Sequence, residues 1–479
     1  MLGRHIFGYL PVNAVQGIVS FGIIAVFTRL LLPSEYGRYA IAMAGVQLAL
    51  GACFYWLHAS MGRFYESSAR DGRLQHYLAS GLFGFAATAS AIGFLSGLAL
   101  LLFARESEFF HVGLAGVSAL IARALLMMGL EVARASRDVA RYSLLESGQA
   151  VLGLALGVVL VLATDLRGAA PLWGITIANG IFVLIDLPRL LRKMGRFTPS
   201  AEELKRFARY GLPLSASILL EIVLSSSDRF LVGYFLGDAA VGVYAVGYSL
   251  ADRTLAILFS WVTMAAVPLT FAALEREGPE AARALCRRNA ESLLFIGLPA
   301  TAGLALVADP LAAVMAGVEF RAAAAAIIPW IALAGLLHGV TLHYLHHSFL
   351  FAQRTDLLVW IMAVPAILNV ILNVILIPVL GLNGAVVGTV AAYAVALVLS
   401  GIFGHRLFAL PIPGRAMAGG LAATAVMAVA VWAVPDIGGV PGLSAKVIVG
   451  AAVYAAAALV LDLAGCRSRL RGIVWVQPQ

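Results

Sequence analysis

The chain has 479 residues, of which 61% are hydrophobic and only 12% are charged, and its mean hydropathy is +0.93. A soluble domain is about 45 to 50% apolar and about 25% charged, so this composition excludes an ordinary soluble protein and is typical of a polytopic membrane protein. The formal net charge of +8 suggests nucleic-acid binding at first sight, but the positions of the basic residues indicate another origin. The three cysteines, Cys53, Cys286 and Cys466, match no metal or redox spacing.

Segments of about 20 apolar residues, the length that crosses a bilayer, recur along the whole chain. They lie near residues 6–32, 38–60, 76–103, 109–130, 142–164, 170–188, 210–236, 240–271, 291–309, 324–350, 357–378, 384–404, 416–434 and 444–464. The first lacks a small-residue cleavage site, so we expect it to remain as a transmembrane helix. The expected fold is an all-α polytopic membrane protein of about 14 transmembrane helices.

The basic residues are distributed unevenly between the loops. With the N-terminus inside, the cytoplasmic segments hold 24 of the 33 Lys and Arg, and the outside segments hold only Arg38, Arg105, Arg167, Arg321 and Lys446. Loops rich in Lys and Arg stay in the cytoplasm. The asymmetry therefore predicts that both termini are cytoplasmic, and it makes the net positive charge a topology signal.

The longest polar connection follows the sixth span and divides the chain into comparable halves. We therefore expect an N-terminal six-helix bundle at 1–188, a basic cytoplasmic linker at 189–209, a second six-helix bundle at 210–405, and two extra helices with a cytoplasmic tail at 406–479. The stretches LLPSEYGRYAIA (31–42) and LGDAAVGVYAVG (236–247) align at an offset of 205, which pairs Gly37 with Gly242. Parallel repeats of this kind are a transporter architecture.

Three longer stretches carry a family resemblance. They are FTRLLLPSEYGRYAIA (27–42), YGLPLSASILLEIVLSSSDRFLVGYFLGDAAVGVYAVGYSLA (210–251) and ILNVILNVILIPVLGLNGAVVGT (367–389). In order and spacing they resemble the bacterial polysaccharide-transport flippases of the multidrug/oligosaccharidyl-lipid/polysaccharide exporter superfamily. The resemblance implies two six-helix bundles in a V shape around a central hydrophilic cavity. It also implies movement of undecaprenyl-diphosphate-linked oligosaccharide from the inner to the outer leaflet of the bacterial inner membrane, for exopolysaccharide, capsule or O-antigen export, alongside a polymerase and other assembly proteins.

A diphosphate crosses a membrane only along fixed cations, and Arg binds phosphate oxygens in pairs. Arg123, Arg229 and Arg253 lie within predicted spans, where a charge costs about 2.5 to 3.5 kcal/mol. We predict that at least one of them faces the cavity and that some of the three bind the diphosphate there. An ion pair between Arg229 and Asp252 is the structural alternative. Adjacent helical residues diverge by about 100°, so we do not expect Asp228 to pair with Arg229.

The seventh span also carries a polar stripe. Spacings of four, four and three place its members on one helical face: Ser217, Glu221, Ser225 and Asp228. Glu221 is the candidate for proton or ion coupling, and the alternative is a buried carboxylate paired with Arg123 or Arg253. With Asp252, this stripe makes up the expected polar lining of the cavity. In the first span, Asn13 and Gln16 are open between cavity lining and helix packing.

Two further polar groups lie in the second half. His343 and His347 are four residues apart, but two imidazoles without a nearby acidic or cysteine ligand do not predict a metal site. Contact with phosphate near the cytoplasmic mouth, pH sensing and a place among interfacial aromatic residues all remain open for them. Asn369 and Asn373 indicate interhelical hydrogen bonds.

The sequence also bears on other functions. No lysine follows a glycine, so a phosphate-binding Walker loop is not encoded, and no nucleophile with a base is recognisable. We therefore expect a carrier without a cofactor, not an enzyme. The alternatives are a cation-coupled drug exporter of the same superfamily, which favours a carboxylate-dominated aromatic cavity, and a scaffold of a polysaccharide assembly complex that transports nothing.

Overall fold

The computed structural model describes residues 2–103 and 108–467, and within that part of the chain every regular element is helical. Fourteen segments of the described residues are long and apolar enough to cross a membrane. This confirms the predicted all-α polytopic membrane fold and its number of spans. By close contacts the chain divides into two compact units, residues 1–242 and 243–479, which are described in turn.

The first unit contains eight helices and the first turn of a ninth. Their bounds are α1 Leu2–Leu30, α2 Pro33–Ala49, α3 Tyr55–Arg70, α4 Leu74–Phe103, α5 Glu108–Ala135, α6 Val139–Ala163, α7 Ala170–Met194 and α8 Ala201–Leu236, and α9 is Asp238–Arg276. A π-helical turn, Leu50–Phe54, joins α2 to α3, so these two helices form one membrane span.

Small residues at the crossings let the backbones of the first unit approach closely. A Cβ at Gly174 of α7 would lie 2.4 Å from the backbone nitrogen of Gly157 on α6. A Cβ at Gly211 of α8 would lie 2.0 Å from the backbone oxygen of Trp56 on α3. Without a hydrophobic driving force between helices in lipid, such close van der Waals packing holds them together. The crossing at Gly211 fixes α8 against α3.

Helix α8 begins earlier than the predicted span. It starts at Ala201, inside the segment 189–209 that the sequence identifies as a linker, and its 36 residues run without a break to Leu236. At 1.5 Å per residue it is about 54 Å long, against about 30 Å of hydrocarbon. Its first turns therefore extend beyond the hydrocarbon on the predicted cytoplasmic side.

The second unit holds the rest of α9 and eight further helices. Their bounds are α10 Pro279–Leu306, α11 Ala308–Met315, α12 Arg321–Val340, α13 His347–Phe351, α14 Thr355–Leu380, α15 Leu382–Leu407, α16 Gly414–Trp432 and α17 Gly439–Val460. A second π-helical turn, Thr341–Leu345, joins α12 to α13. The last two spans, α16 and α17, pack on α10, where the Tyr454 hydroxyl donates to the Phe295 carbonyl at 2.8 Å.

The sequence contains a second weak repeat, in which GAAPLWGITIANG (168–180) aligns with LNGAVVGTVAAYA (382–394), and its two copies have matching surroundings. Gly174 of α7 packs on the preceding helix α6, and Gly388 of α15 packs on the preceding helix α14, where its Cβ would lie 2.6 Å from the Asn373 side-chain oxygen. Each copy of this repeat thus marks a helix that needs a small residue to lie against its predecessor.

Candidate functional site

A polar cluster lies within the membrane spans of the first unit. The Arg123 guanidinium on α5 donates two hydrogen bonds to the Glu146 carboxylate on α6, at 3.1 and 3.0 Å. Gln16 on α1 donates its amide to the Glu146 carbonyl oxygen at 2.9 Å and to one carboxylate oxygen at 3.2 Å. The Arg123 side chain keeps 26% of its surface exposed and Glu146 keeps 13%. The structure therefore brings two predicted site residues together around a carboxylate.

Glu146 is the member of this cluster that the sequence analysis missed. It lies within the fifth predicted span, so an inventory of all acidic residues inside spans, and not only of the arginines, reveals it. Its two oxygens match the planar fork of Arg123. In this structure the Glu146 carboxylate neutralises the Arg123 guanidinium and occupies the donors that would bind a phosphate. The predicted alternative partner of Glu221, Arg123, is thus already paired with a different carboxylate.

Asp228 and Arg229 correct one expectation from helical geometry. The guanidinium of Arg229 lies 3.3 Å from the Asp228 carboxylate, and so the two neighbours do pair. The carboxylate folds back to accept from the Arg229 backbone N–H at 2.8 Å, while the guanidinium turns along the helix to donate to the Ser225 carbonyl at 2.8 Å. The prediction considered only the directions in which Cβ atoms point. Arg229 and Asp252 belong to different units, and the alternative pair between them stays a prediction.

The polar stripe of α8 divides into buried and partly exposed members. Asp228 is 1% exposed, whereas Glu221 is partly exposed. The hydroxyls of Ser217 and Ser225 donate to carbonyls of their own helix, those of Pro213 and Ile222. These serines are therefore satisfied locally, and Glu221 stays the predicted residue for proton or ion coupling.

In the second unit, Asp252 and Arg253 are both partly buried on α9. The histidines of the α12 to α13 connection contact protein groups. His343 lies 2.9 Å from the Thr263 hydroxyl, and the Nδ1 atom of His347 lies 3.2 Å from the Tyr344 carbonyl oxygen. Within the described residues, no group of three or more His, Cys, Asp or Glu side chains is placed to hold a metal ion.

The two asparagines of α14 are fully buried. Asn373 donates to the Asn369 side-chain oxygen at 3.0 Å. The hydrogen bond that joins them thus lies within one helix, where the sequence indicated bonds between helices. Gly388 of α15 packs directly on Asn373, which ties this polar pair to the close α14 to α15 crossing.

The first unit also contains the turns that begin α2 and α9. A Cβ at Gly37 would lie 1.8 Å from the Asp238 backbone oxygen, and one at Gly242 would lie 2.1 Å from the Pro33 backbone oxygen. Arg38 donates to the Asp238 carboxylate at 3.1 Å, with side chains 17% and 23% exposed. On the predicted outer side, the equivalent turns of the two sequence repeats are therefore in direct backbone contact.

A second ion pair missed by the sequence analysis lies deep in the first unit. Arg141 of α6 donates two hydrogen bonds to Asp186 of α7, at 2.6 and 2.7 Å, and both side chains are 5% exposed. A Cβ at Gly129 of α5 would lie 2.2 Å from an Asp186 oxygen. This pair is sealed between three helices and is structural. The sequence feature that could have revealed this ion pair is Asp186, an acidic residue within the sixth predicted span.

Comparison with known proteins identifies the fold. The lipid II flippase MurJ in an inward closed conformation superposes with a TM-score of 0.76 at 12% identity, covering 96% of this chain and 98% of that one. An inward-facing multidrug resistance transporter of the MATE family, from the MOP superfamily, gives a TM-score of 0.60 at 19% identity over 83% of this chain and 94% of that one. The Vibrio cholerae MATE transporter VcmN in the bent form gives 0.54 at 17% identity, over 85% and 98%.

At these identities the similarity establishes a shared fold. No curated protein sequence matches the chain. A family model described as polysaccharide biosynthesis protein matches residues 26–325, which is more than half of the chain. The protein is therefore a multi-pass membrane protein with the fold of the MOP-superfamily transporters, and it belongs to the polysaccharide biosynthesis protein family.

Proposed function

We propose that this protein is a flippase of the bacterial inner membrane, which moves undecaprenyl-diphosphate-linked oligosaccharide from the inner to the outer leaflet for polysaccharide export. The observation that carries the proposal is the family match over residues 26–325, because it connects a transporter fold with polysaccharide synthesis. A solved structure that shares the fold is named a lipid II flippase. A MATE structure of the same fold is named a multidrug resistance transporter, whereas the family match of this chain is to polysaccharide biosynthesis.

Arg123, Arg229 and Arg253 are the proposed diphosphate ligands. The Arg123 and Glu146 pair supports this role, because it explains how a cation remains stable in a span before substrate arrives. A diphosphate carries more negative charge than one carboxylate and offers more acceptor oxygens to the guanidinium fork. Substrate binding therefore exchanges one partner of Arg123 for another, and Glu146 restores the first pair after release.

The backbone contact between the turns of α2 and α9 supports an alternating-access cycle. Gly37 and Gly242 allow these turns to close without any side chain between them. In the proposed cycle the turns are together when the carrier accepts substrate from the cytoplasmic side, and they separate for release outside. The proposed arrangement keeps the predicted halves 1–188 and 210–405, with both termini cytoplasmic and a polymerase receiving the product.

The deciding experiment measures flipping by the purified protein in proteoliposomes. The substrate is a fluorescent undecaprenyl-diphosphate oligosaccharide, and its outward movement is read by loss of signal to a membrane-impermeant quencher. We expect flipping by the native chain and its loss in Arg253→Ala, with the variant still inserted in the membrane. Cationic dye efflux without lipid flipping would identify a drug exporter instead, and activity in neither assay would favour a scaffold.

A further inference from the structure

A basic cleft lies where α3 ends and α8 begins, away from the Arg123 cluster. Its volume is about 490 Å³, and it is lined by Phe64, Glu202, Lys205, Arg206, Arg209 and Tyr210. Three cations and one carboxylate line it, so the cleft is positive overall. The sequence places it on the cytoplasmic side, because residues 189–209 form the most basic of the predicted inside segments.

One of the three cations has a structural role. The Arg206 guanidinium lies 4.1 Å from the centre of the Phe64 ring and donates to the Ser67 hydroxyl at 3.3 Å. It also lies 3.5 Å from the buried carboxylate of Glu203. Phe64 in turn stacks on the buried ring of Phe207. These contacts hold the start of α8 against the end of α3 and form one wall of the cleft.

The other two cations are exposed and available. Lys205 and Arg209 are solvent-exposed and form no ion pair within the part of the chain that the structure describes. They are four residues apart on α8, so they stand one above the other on the same face, with Cβ atoms about 5 to 6 Å apart. Two adjacent cations at this distance suit a group with several anionic oxygens, such as a phosphate or diphosphate.

The surroundings of the cleft specify a ligand with a hydrocarbon tail. Tyr210 is 37% exposed next to Arg209, and Leu212, which follows Arg209 by three residues and lies on the same face of α8, is 53% exposed. A tyrosine followed by an exposed leucine is typical of the boundary between headgroups and hydrocarbon. A lipid whose phosphate lies between Lys205 and Arg209 can therefore lay its tail along Leu212 on the same face of α8.

We propose that this cleft binds the phosphate headgroup of a lipid in the inner leaflet. The shared chemistry has two sources, an acidic phospholipid of the bilayer and the diphosphate of a polyprenyl lipid. The site is separate from the in-span arginines, and its lipid binding does not require that the protein transport anything. If the polyprenyl lipid is the preferred occupant, the cleft collects substrate at the membrane surface before it enters the carrier.

The test measures saturable binding of tail-labelled lipids to the purified full chain in phosphatidylcholine nanodiscs. The probes are phosphatidylglycerol and undecaprenyl diphosphate. The test variant is Lys205→Gln with Arg209→Gln. The matched control is Arg189→Gln with Arg192→Gln, which removes two exposed cations of the same predicted cytoplasmic region. Lys205→Arg with Arg209→Lys keeps both charges and shows whether any loss comes from charge or from misfolding.

We expect the Gln pair to weaken binding about 25-fold, since each cation near a membrane surface contributes about fivefold. The control pair and the charge-conserving swap should bind within about threefold of the native chain. Undecaprenyl diphosphate bound at least tenfold more tightly than phosphatidylglycerol identifies a substrate-collecting site, and equal binding identifies a bilayer-lipid site. Equal losses of lipid affinity in the test and control variants overturn the proposal. Displacement of the lipid by inorganic pyrophosphate at a concentration equal to that of the lipid also overturns it, because the tail then contributes nothing. Because binding is read without transport, failure here leaves the flippase proposal intact.

Discussion

Gly37 and Gly242 pack against each other so that a Cβ on Gly37 would lie 3.0 Å from the Gly242 nitrogen, and a Cβ on Gly242 would lie 3.2 Å from the Gly37 nitrogen. The offset of 205 residues that relates these glycines also relates Pro33 to Asp238. The contacts are reciprocal, since Gly37 meets Asp238 and Gly242 meets Pro33. Reciprocity of this kind is the mark of a two-fold related interface. The weak sequence repeat thus corresponds to two turns in equivalent structural positions.

The first prediction follows from this contact. Gly37→Ala places a methyl group 1.8 Å from a backbone oxygen, which cannot move aside as a flexible side chain can. The turns must separate, so we expect polysaccharide export to fall at least tenfold. Gly45→Ala on the same helix meets nothing within 4 Å and should export normally. Export is measured per unit of membrane-inserted protein, and equal export by the two variants would show that the turns need not close.

The second prediction concerns the exchange of partners at Arg123. Arg123→Ala removes a proposed ligand of the diphosphate and leaves the Glu146 carboxylate without its main partner. Truncating one partner of a buried charged pair costs about 2 to 5 kcal/mol of binding free energy. We expect at least a thirtyfold loss of affinity for undecaprenyl diphosphate. Glu146→Gln keeps the shape but removes the competing charge, so this variant should bind the diphosphate more tightly while flipping more slowly.

Direct binding and flipping rates of the two variants distinguish this role from a structural one. A purely structural pair predicts that both variants lose thermal stability and that neither gains affinity. Arg123→Lys is the useful control, because it keeps the charge but cannot donate through a planar fork. Intermediate affinity in that variant is the expected result.

The third prediction concerns the contribution of the buried ion pair between Arg141 and Asp186 to stability. Asp186→Asn leaves the buried Arg141 unpaired, which costs about 3 to 5 kcal/mol of stability. Replacing both partners, with Arg141→Met and Asp186→Leu, should recover most of that loss. The control is Glu291→Gln, which breaks the exposed pair with Arg287 and costs about 0 to 1 kcal/mol. Thermal unfolding in detergent checks the order, and equal shifts for Asp186→Asn and Glu291→Gln would contradict it.

Some features of the fold and of the candidate site could be predicted from the sequence, and others could not. Hydropathy was enough for the fourteen spans, because it depends on local composition. The 205-residue offset was enough for the paired turns at Gly37 and Gly242, because a repeat can be recognised in the sequence itself. Partner choice among charged groups depends on which helices pack together. Arg123 was found as an in-span cation, but its partner Glu146 lies on a different helix. The pairing of Asp228 with Arg229 depends on side-chain rotamers, which helical spacing does not specify.

The fourth prediction concerns the energy source. An inside-negative potential drives an anionic headgroup outward, which is favourable by about 2.3 kcal/mol per charge per 100 mV, but the empty carrier must then return. If Glu221 carries a proton or sodium ion during that return, Glu221→Gln should lose the dependence of flipping on the ion gradient. Proteoliposomes with the potential and the ion gradients set independently provide the measurement, and Glu291→Gln, outside the stripe of α8, is the control. Flipping driven by potential alone and unaltered in Glu221→Gln would eliminate the coupling role.

The last prediction tests movement of the turns directly. Ser34 and Ala239 flank the contacts of Pro33 with Gly242 and of Asp238 with Gly37, so cysteines at these two positions should crosslink readily while the turns are together. The background replaces the native free cysteines Cys53, Cys286 and Cys466 with serine.

The crosslink should stop export, because the turns can no longer separate to release substrate outside, and a reducing agent should restore it. Each single-cysteine variant, treated with the same reagent, controls for modification without a crosslink and should export normally. A reagent with a long flexible spacer should inhibit less than a short one, since it permits partial separation. If the short crosslink forms in most of the protein and export continues undiminished, then these turns do not separate during transport, and the alternating-access proposal is wrong for this protein.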